Sequence, residues 1–255
     1  MIRIVQLQKR FAGSPVLTGV NLEIQDGETL VIIGRSGGGK SVLLKHLCGL
    51  LKPDAGEVWV DDVETVALAE RDMPAVRRKF GFLFQGAALF DSLTLFENVA
   101  FPLREQRNLP ETEIAQRVNQ ALEIVGLAGA GAKKPAELSG GMRKRAGLAR
   151  AAVGTPKYLL YDEPTTGLDP VRADTINNLI LRMRDHYHVT GVAVTHDMAS
   201  AYKIADRIAM LHNGQIHTVG TPAEIQASAD PIVQQFIRGI AEETQEVKRE
   251  FATQR

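Results

Sequence analysis

The segment "GRSGGGKS", Gly34 to Ser41, has the spacing G-x-x-x-x-G-K-[ST]. A loop of this kind does its chemistry with backbone groups. Glycines let successive N–H groups turn toward phosphate oxygens, and the helix N-terminus that follows adds partial positive charge. A lysine placed as Lys40 is reaches the β and γ phosphates, and a hydroxyl placed as Ser41 is ligates magnesium. Two acids fit the same chemistry. "KYLLYDE" is an apolar run ending in Asp162 and Glu163. Beside a phosphate loop the first acid orders magnesium through water. The second can orient or deprotonate an attacking water. Alone, the run is equally a strand end capped by solvated carboxylates.

"VAVTHD" puts His196 at the end of another apolar run. A lone histidine is commonly a packing residue, but at a strand end in an α/β sheet it lies on the ligand-binding edge. His186 and His188 have no acidic or cysteine cluster at ligand spacing and read as surface residues. "AELSGGMRKRAGLARA", residues 136 to 151, is a second glycine turn. Ser139, Gly140 and Gly141 lead into a basic helix and offer a phosphate the same donors and dipole as the first loop. Alone, it is also a glycine-rich helix start with a solvated face.

The elements that must hold these residues follow from pattern. "IRIVQLQKRF" and "EVWVDD" read as strands, and "NLEIQ", Asp26-Gly27 and "ETLVIIG" read as strand, tight turn and buried strand. Leu43, Leu44, Leu47 and Leu50 recur with helical spacing after the loop. "KFGFLFQ" reads as a strand ending at Gln85. From Gly86 to about Gly154 the pattern is helical, with a capping box at Thr94 and Glu97. There Ile114, Val118, Ala121, Leu122 and Val125 share one face, with Gly126 as a stop. "VTGVAVTHD" is a buried strand, and Asn213-Gly214 marks a hairpin. "TPAE", from Thr221, starts a helix. Strands alternating with helices imply an α/β domain with a mainly parallel sheet. Residues 86–154 interrupt the alternation as an inserted helical subdomain. Residues 1–225 hold these strands and helices, and 226–255 read as a helix fading into a charged tail that is expected to contact a neighbouring subunit.

The chain has 255 residues, with Lys+Arg and Asp+Glu both at 30. That length can bury a sizeable core. Zero net charge gives no general field toward nucleic acid or an anionic membrane. The one cysteine, Cys48, permits no internal disulfide, fits a reducing compartment and reads as a small buried hydrophobe. The N-terminus carries charges where a signal peptide needs an apolar core. No uncharged apolar run reaches about 18 residues, so the chain is expected to be soluble, any membrane span coming from a partner.

Taken in order, "GRSGGGKS", Gln85, "LSGG", "LLYDE", "GLD" and "TH" closely resemble the ATP-binding subunit of ABC transporters. The resemblance implies a P-loop NTPase core with an N-terminal antiparallel β subdomain and an inserted helical subdomain. It implies an ATPase that needs Mg2+ and works as a head-to-tail dimer. In that family each ATP is held between the phosphate loop of one subunit and the LSGG helix of the other. Carried onto this chain, Phe11 would stack on adenine and Val16 would lie beside the ribose. Ser36, Gly37, Gly38, Gly39, Lys40, Ser41 and Val42 would cradle the phosphates. Ser41 and Gln85 would contact magnesium, with Asp162 behind it through water. Glu163 would be the catalytic carboxylate and His196 would contact the γ-phosphate. Ser139, Gly140 and Gly141 would close on the other subunit's ATP, and Asp169 would communicate across the dimer.

Arg35, Val42 and Met142 depart from the common pattern, where proline, a second hydroxyl and glutamine stand. "FQGAALFDSLTLFENVAFPLRE", "ELSGGMRKR" and "DPIVQQFIRG" look like the ATPases of Mla-type lipid transporters, which serve Mce-domain systems in the Gram-negative envelope. That implies a place on the cytoplasmic face of the inner membrane. The implied partners are permease subunits, Mce-domain proteins and small accessory subunits. Leu89, Phe90, Leu93 and Phe96 would form the permease contact, or else subdomain core. The alternative is the ATPase of an amino acid or betaine importer, which usually shows glutamine after LSGG. A cassette acting on DNA or the ribosome would carry a long coiled-coil insertion or two cassettes. A GTPase would need Asn-Lys-x-Asp, and a kinase gives no reason for "LSGG".

Overall fold

The computed structural model describes residues 1–107 and 109–240. Two sheets carry the strands. The first is antiparallel and contains β1 (Ile2–Phe11), β2 (Ser14–Ile24), β4 (Ala55–Val60) and β5 (Val63–Glu64), in the order β2-β1-β4-β5. The second contains β3 (Thr29–Ile33), β6 (Phe80–Leu83), β7 (Tyr158–Asp162), β8 (Thr190–Thr195), β9 (Arg207–His212) and β10 (Gln215–Gly220), in the order β10-β9-β3-β8-β7-β6. Its neighbours pair in parallel except β9 with β10. β3, β7 and β8 are buried along their whole length, as continuous apolar runs covered on both faces must be.

The parallel sheet divides the interior in two because side chains alternate along a strand. Val31 and Ile33 of β3 face one core; Leu30 and Ile32 face the other. The second core is closed by the antiparallel sheet and by α1 (Lys40–Leu47), with α2 (Met73–Arg77) at its edge. The first is closed by α3 (Leu95–Gln106), α4 (Glu111–Ile124), α5 (Gly140–Ala152), α6 (Pro170–Tyr187) and α7 (Met198–Ile204). The apolar face read for α4 is buried, and the Thr94–Glu97 capping box starts α3. α5 lies very close to β6: a Cβ on Gly81 would sit 1.9 Å from the Ala151 carbonyl oxygen, so only glycine fits there.

The Asp26-Gly27 turn forms as read, and it carries the chain from β2 in one sheet to β3 in the other. Two local expectations change. α1 stops at Leu47, leaving Leu50 52% exposed. β6 ends at Leu83, two residues before Gln85, which lies in a turn.

At the C-terminal side, α8 (Pro222–Ala227) and α9 (Pro231–Ile237) pack beside β9 and β10 and onto the first core. α9 ends where Gly239 turns left-handed and the Ile240 N–H bonds back to the Gln235 carbonyl. The rest of the expected helical tail, 241–255, lies outside the described residues.

Cys48 is 4% exposed, and burial pushes its thiol pKa up to about 11. A raised pKa means less thiolate at pH 8. Thiol alkylation of the native protein at that pH is therefore expected to run at least about ten times slower than after denaturation. Equal rates would contradict the packing.

Candidate active site

The phosphate loop connects β3 to α1. Gly34 passes so close to β9 that a Cβ there would lie 2.4 Å from the Leu211 carbonyl oxygen. Gly39 caps α1 at φ 96°, a left-handed conformation that glycine adopts without strain. These constraints aim the start of α1 into a cavity of about 350 Å3. Lys40 is 5% exposed. Its Nζ donates to the carbonyls of Gly34 at 2.8 Å and Arg35 at 3.0 Å and lies 3.7 Å from Glu163 Oε1. Burial lowers the Lys40 pKa against the pull of Glu163 and Asp162.

Asp162 ends β7 and is buried. The Ser41 hydroxyl donates to its Oδ1 at 2.6 Å. Glu163 follows at φ 48°, an uncommon conformation for a residue with a side chain. Every polar group of this residue is engaged. Its N–H donates to the Val194 carbonyl at 2.9 Å, and its own carbonyl accepts from Lys144 Nζ at 3.0 Å. Its Oε2 accepts from Thr166 Oγ1 at 3.0 Å and, more weakly, from Thr195 Oγ1 at 3.4 Å. His196 Nδ1 lies 3.0 Å from the carboxylate, with the ring more than half exposed. The strained, over-determined backbone is the type of arrangement that clusters at reacting centres.

Val16, Ser36, Gly37, Gly39, Lys40, Ser41, Val42, Gln85, Glu163 and His196 line this one cavity. Asp162 reaches it through Ser41. Gly38 lies on the other side of the loop, where its N–H donates to the Arg35 carbonyl at 3.1 Å and it lines an adjoining hollow. Phe11 stands outside the cavity, 45% exposed at the end of β1, with Lys9 Nζ 5.6 Å from its ring centre. Ser139, Gly140 and Gly141 are also outside. Ser139 caps α5 by accepting from the Met142 N–H, and the two glycines leave that helix end bare. Asp169 caps α6 by accepting from the Arg172 N–H. Sequence reasoning missed Thr166, Thr195 and Lys144. Thr195 sits beside His196 and Thr166 three residues after Glu163, so both were open to inspection; Lys144 reaches Glu163 only through the fold.

The donor set suits a nucleotide. A glycine loop at a helix start, a buried ammonium and a hydroxyl backed by a carboxylate match a polyphosphate. Ser41, Gln85 and Asp162 supply the hard oxygen donors that magnesium prefers.

A second, apolar groove of about 680 Å3 includes Phe82, Phe84, Phe90, Phe101 and Pro102. Phe90 and Phe101 are 45% and 39% exposed, with ring centres 4.9 Å apart. The segment presenting Phe90 is pinned. The buried Asn98 side chain accepts from the Phe90 N–H and donates to three carbonyls, and Arg150 donates to those of Ala87 and Ala88. Of the four residues read as permease contact or else subdomain core, Leu89 and Phe96 pack against the first core.

A two-sheet α/β fold with a phosphate loop, paired acids and a histidine at the strand ends defines a P-loop ATPase. Residues 17–166 match the family model for the ABC transporter. The chain is 42% identical over 93% of its length to a probable ribonucleotide transport ATP-binding protein, mkl, of Mycobacterium leprae, and spans 69% of that relative. It is 39% identical over 94% of its length to the intermembrane phospholipid transport system ATP-binding protein MlaF of Haemophilus influenzae, spanning 90% of it. The fold superposes with a TM-score of 0.81 on a dimeric ATP-binding cassette in a post-hydrolysis state bound to ADP and Pi. That pair is 33% identical, covering 87% of this chain and 99% of the other. The chain belongs to the ABC transporter family and is an ATP-hydrolysing subunit of it.

Proposed function

We propose that two copies of this chain pack head to tail around two ATP molecules and drive a membrane permease that moves phospholipid. The one observation that carries the ATP chemistry is the convergence of Lys40, Ser41, Glu163 and His196 on a single cavity. In this reading the loop amides and Lys40 take the phosphates, Lys40 giving up the carbonyls it now bonds. Phe11 offers an exposed ring to adenine and Val16 flanks the ribose. Glu163 orients the attacking water and accepts its proton, while His196 steadies the γ-phosphate. Magnesium, held by Ser41 and Gln85 with Asp162 behind, supplies charge neutralisation at the phosphate oxygens when bound.

Ser139, Gly140 and Gly141 stand outside the cavity of their own chain, with free N–H groups at a helix start. That supports a role at the ATP of a second copy, with Asp169 near the seam. Closure then depends on ATP touching both copies, and hydrolysis releases it. The aromatic groove around Phe90 and Phe101 suits an apolar segment of the permease. Among the described residues no helix is long and apolar enough to cross a membrane, so the permease supplies the span. The chain would then lie on the cytoplasmic face of the inner membrane.

The lipid cargo rests on the match to MlaF across nine-tenths of that relative, together with the likeness of the segment after Gln85. Purification of the tagged chain from detergent-solubilised membranes tests it. A permease accompanied by Mce-domain proteins is the expected result. A permease accompanied by a periplasmic solute-binding protein would replace lipid transport with solute import.

A further inference from the structure

Lys144 is a buried cation that the chemistry above does not use. It lies on α5, one turn beyond Ser139–Gly141, and is 6% exposed. Burying an ammonium is costly unless it gains a specific partner. The partner here is the main-chain carbonyl of Glu163, 3.0 Å from Nζ. That carbonyl belongs to a residue held at φ 48°, where a non-glycine backbone persists only if its surroundings impose it. The Val194 carbonyl holds the N–H side of the same residue. The two contacts clamp the Glu163 backbone from opposite ends, one from β8 and one from α5.

Charge gives a second reason. Asp162 and Glu163 are both buried, and both attract Lys144 as well as Lys40. In the reading proposed above, Lys40 turns to the phosphates once ATP binds. Lys144 then remains beside the two carboxylates from the protein side.

We propose that Lys144 is a positioning residue for hydrolysis, holding the Glu163 backbone so that its carboxylate meets the attacking water. The inference rests on the reading of Glu163 as catalytic and of the dimer as head to tail. It has a geometric consequence. The LSGG end of α5 would serve the partner's ATP while Lys144, on the same helix, serves the ATP of its own chain.

That consequence provides the test. Mixed dimers of the full chain, purified through two different tags, carry Lys40→Ala on one copy, so that one ATP site works. Lys144→Met is then added either to the copy with the intact Lys40 or to the Lys40→Ala copy. On the intact copy it should cut the turnover rate about ten-fold or more relative to the other placement, the loss typical of one charged hydrogen bond. The KM for ATP should move less than about two-fold, because nothing that binds nucleotide is removed. Lys144→Arg, which keeps a donor, should recover part of the rate. Equal loss in both placements would mean damage to α5 as a whole. Loss only on the Lys40→Ala copy would assign Lys144 to the LSGG end. Either result overturns the proposal, as does no loss at all. If Lys144→Met does not fold, Lys144→Leu, which also lacks a donor, decides in the same two placements. Glu163→Gln on the intact copy is the control: if hydrolysis survives it, the reading of Glu163 has failed, which is separable from failure of Lys144.

Discussion

Replacing Glu163 with glutamine should lower steady-state ATP hydrolysis by roughly two to four orders of magnitude, the range removed with a general base. The substitution is close to isosteric. The amide oxygen can still accept from Thr166 Oγ1, and the amide nitrogen can face His196 Nδ1, so the local packing should survive. What disappears is the negative charge 3.7 Å from Lys40 and the capacity to take a proton from water. Nucleotide binding, which depends on the loop and Lys40, should persist. ATP should therefore accumulate without turning over, and the variant should elute as an ATP-dependent dimer in size-exclusion chromatography where the parent does so only transiently. Measured turnover within ten-fold of the parent would remove Glu163 from its assigned role.

How much of this site could be read in the chain depends on what each part is made of. The phosphate loop was legible because amide-to-phosphate geometry demands glycine at fixed offsets, and Gly34, Gly37 and Gly39 carry that demand. Strands β3, β7 and β8 were legible because burial on both faces removes polar residues from them. The sheet that each strand beside the Asp26-Gly27 turn joins was not. Turn chemistry is local, and it is the same whether the next strand pairs with the last or joins another sheet. The contacts around Glu163 were hidden for a related reason. Lys144 belongs to a helix whose period reads as ordinary, and only the packing of α5 against the sheet brings its ammonium to a carbonyl 19 residues on. The choice between contact surface and subdomain core stayed open because Phe90 and Phe96 look alike in a sequence. Asn98 bonds the Phe90 backbone, whose ring stands exposed, while Phe96 packs inward.

The second glycine turn leads to the other large effect. Ser139→Arg puts a bulky cation where the bare start of α5 would meet a partner's phosphates. Within its own chain the damage should be small. Ser139 is exposed, and the bond it accepts from the Met142 N–H is long, at 3.3 Å. Losing such a cap costs about 1 kcal/mol, against a whole-domain stability several times larger. Yet both composite sites of a Ser139→Arg dimer would be blocked, so its hydrolysis should fall to background. Lys40→Ala should do the same from the other half of each site. An equal mixture of the two inactive proteins should then regain activity, because a mixed dimer joins the intact loop of one copy to the intact LSGG turn of the other. With random pairing, about a quarter of the parent rate is expected if the sites fire independently. Recovery at that level requires two chains at one ATP, since neither protein holds a complete site by itself. A mixture that stays at background, with both proteins folded and exchanging partners, would show that the two turns do not meet across a dimer. The placement of Ser139, Gly140 and Gly141 outside their own cavity would then need another explanation.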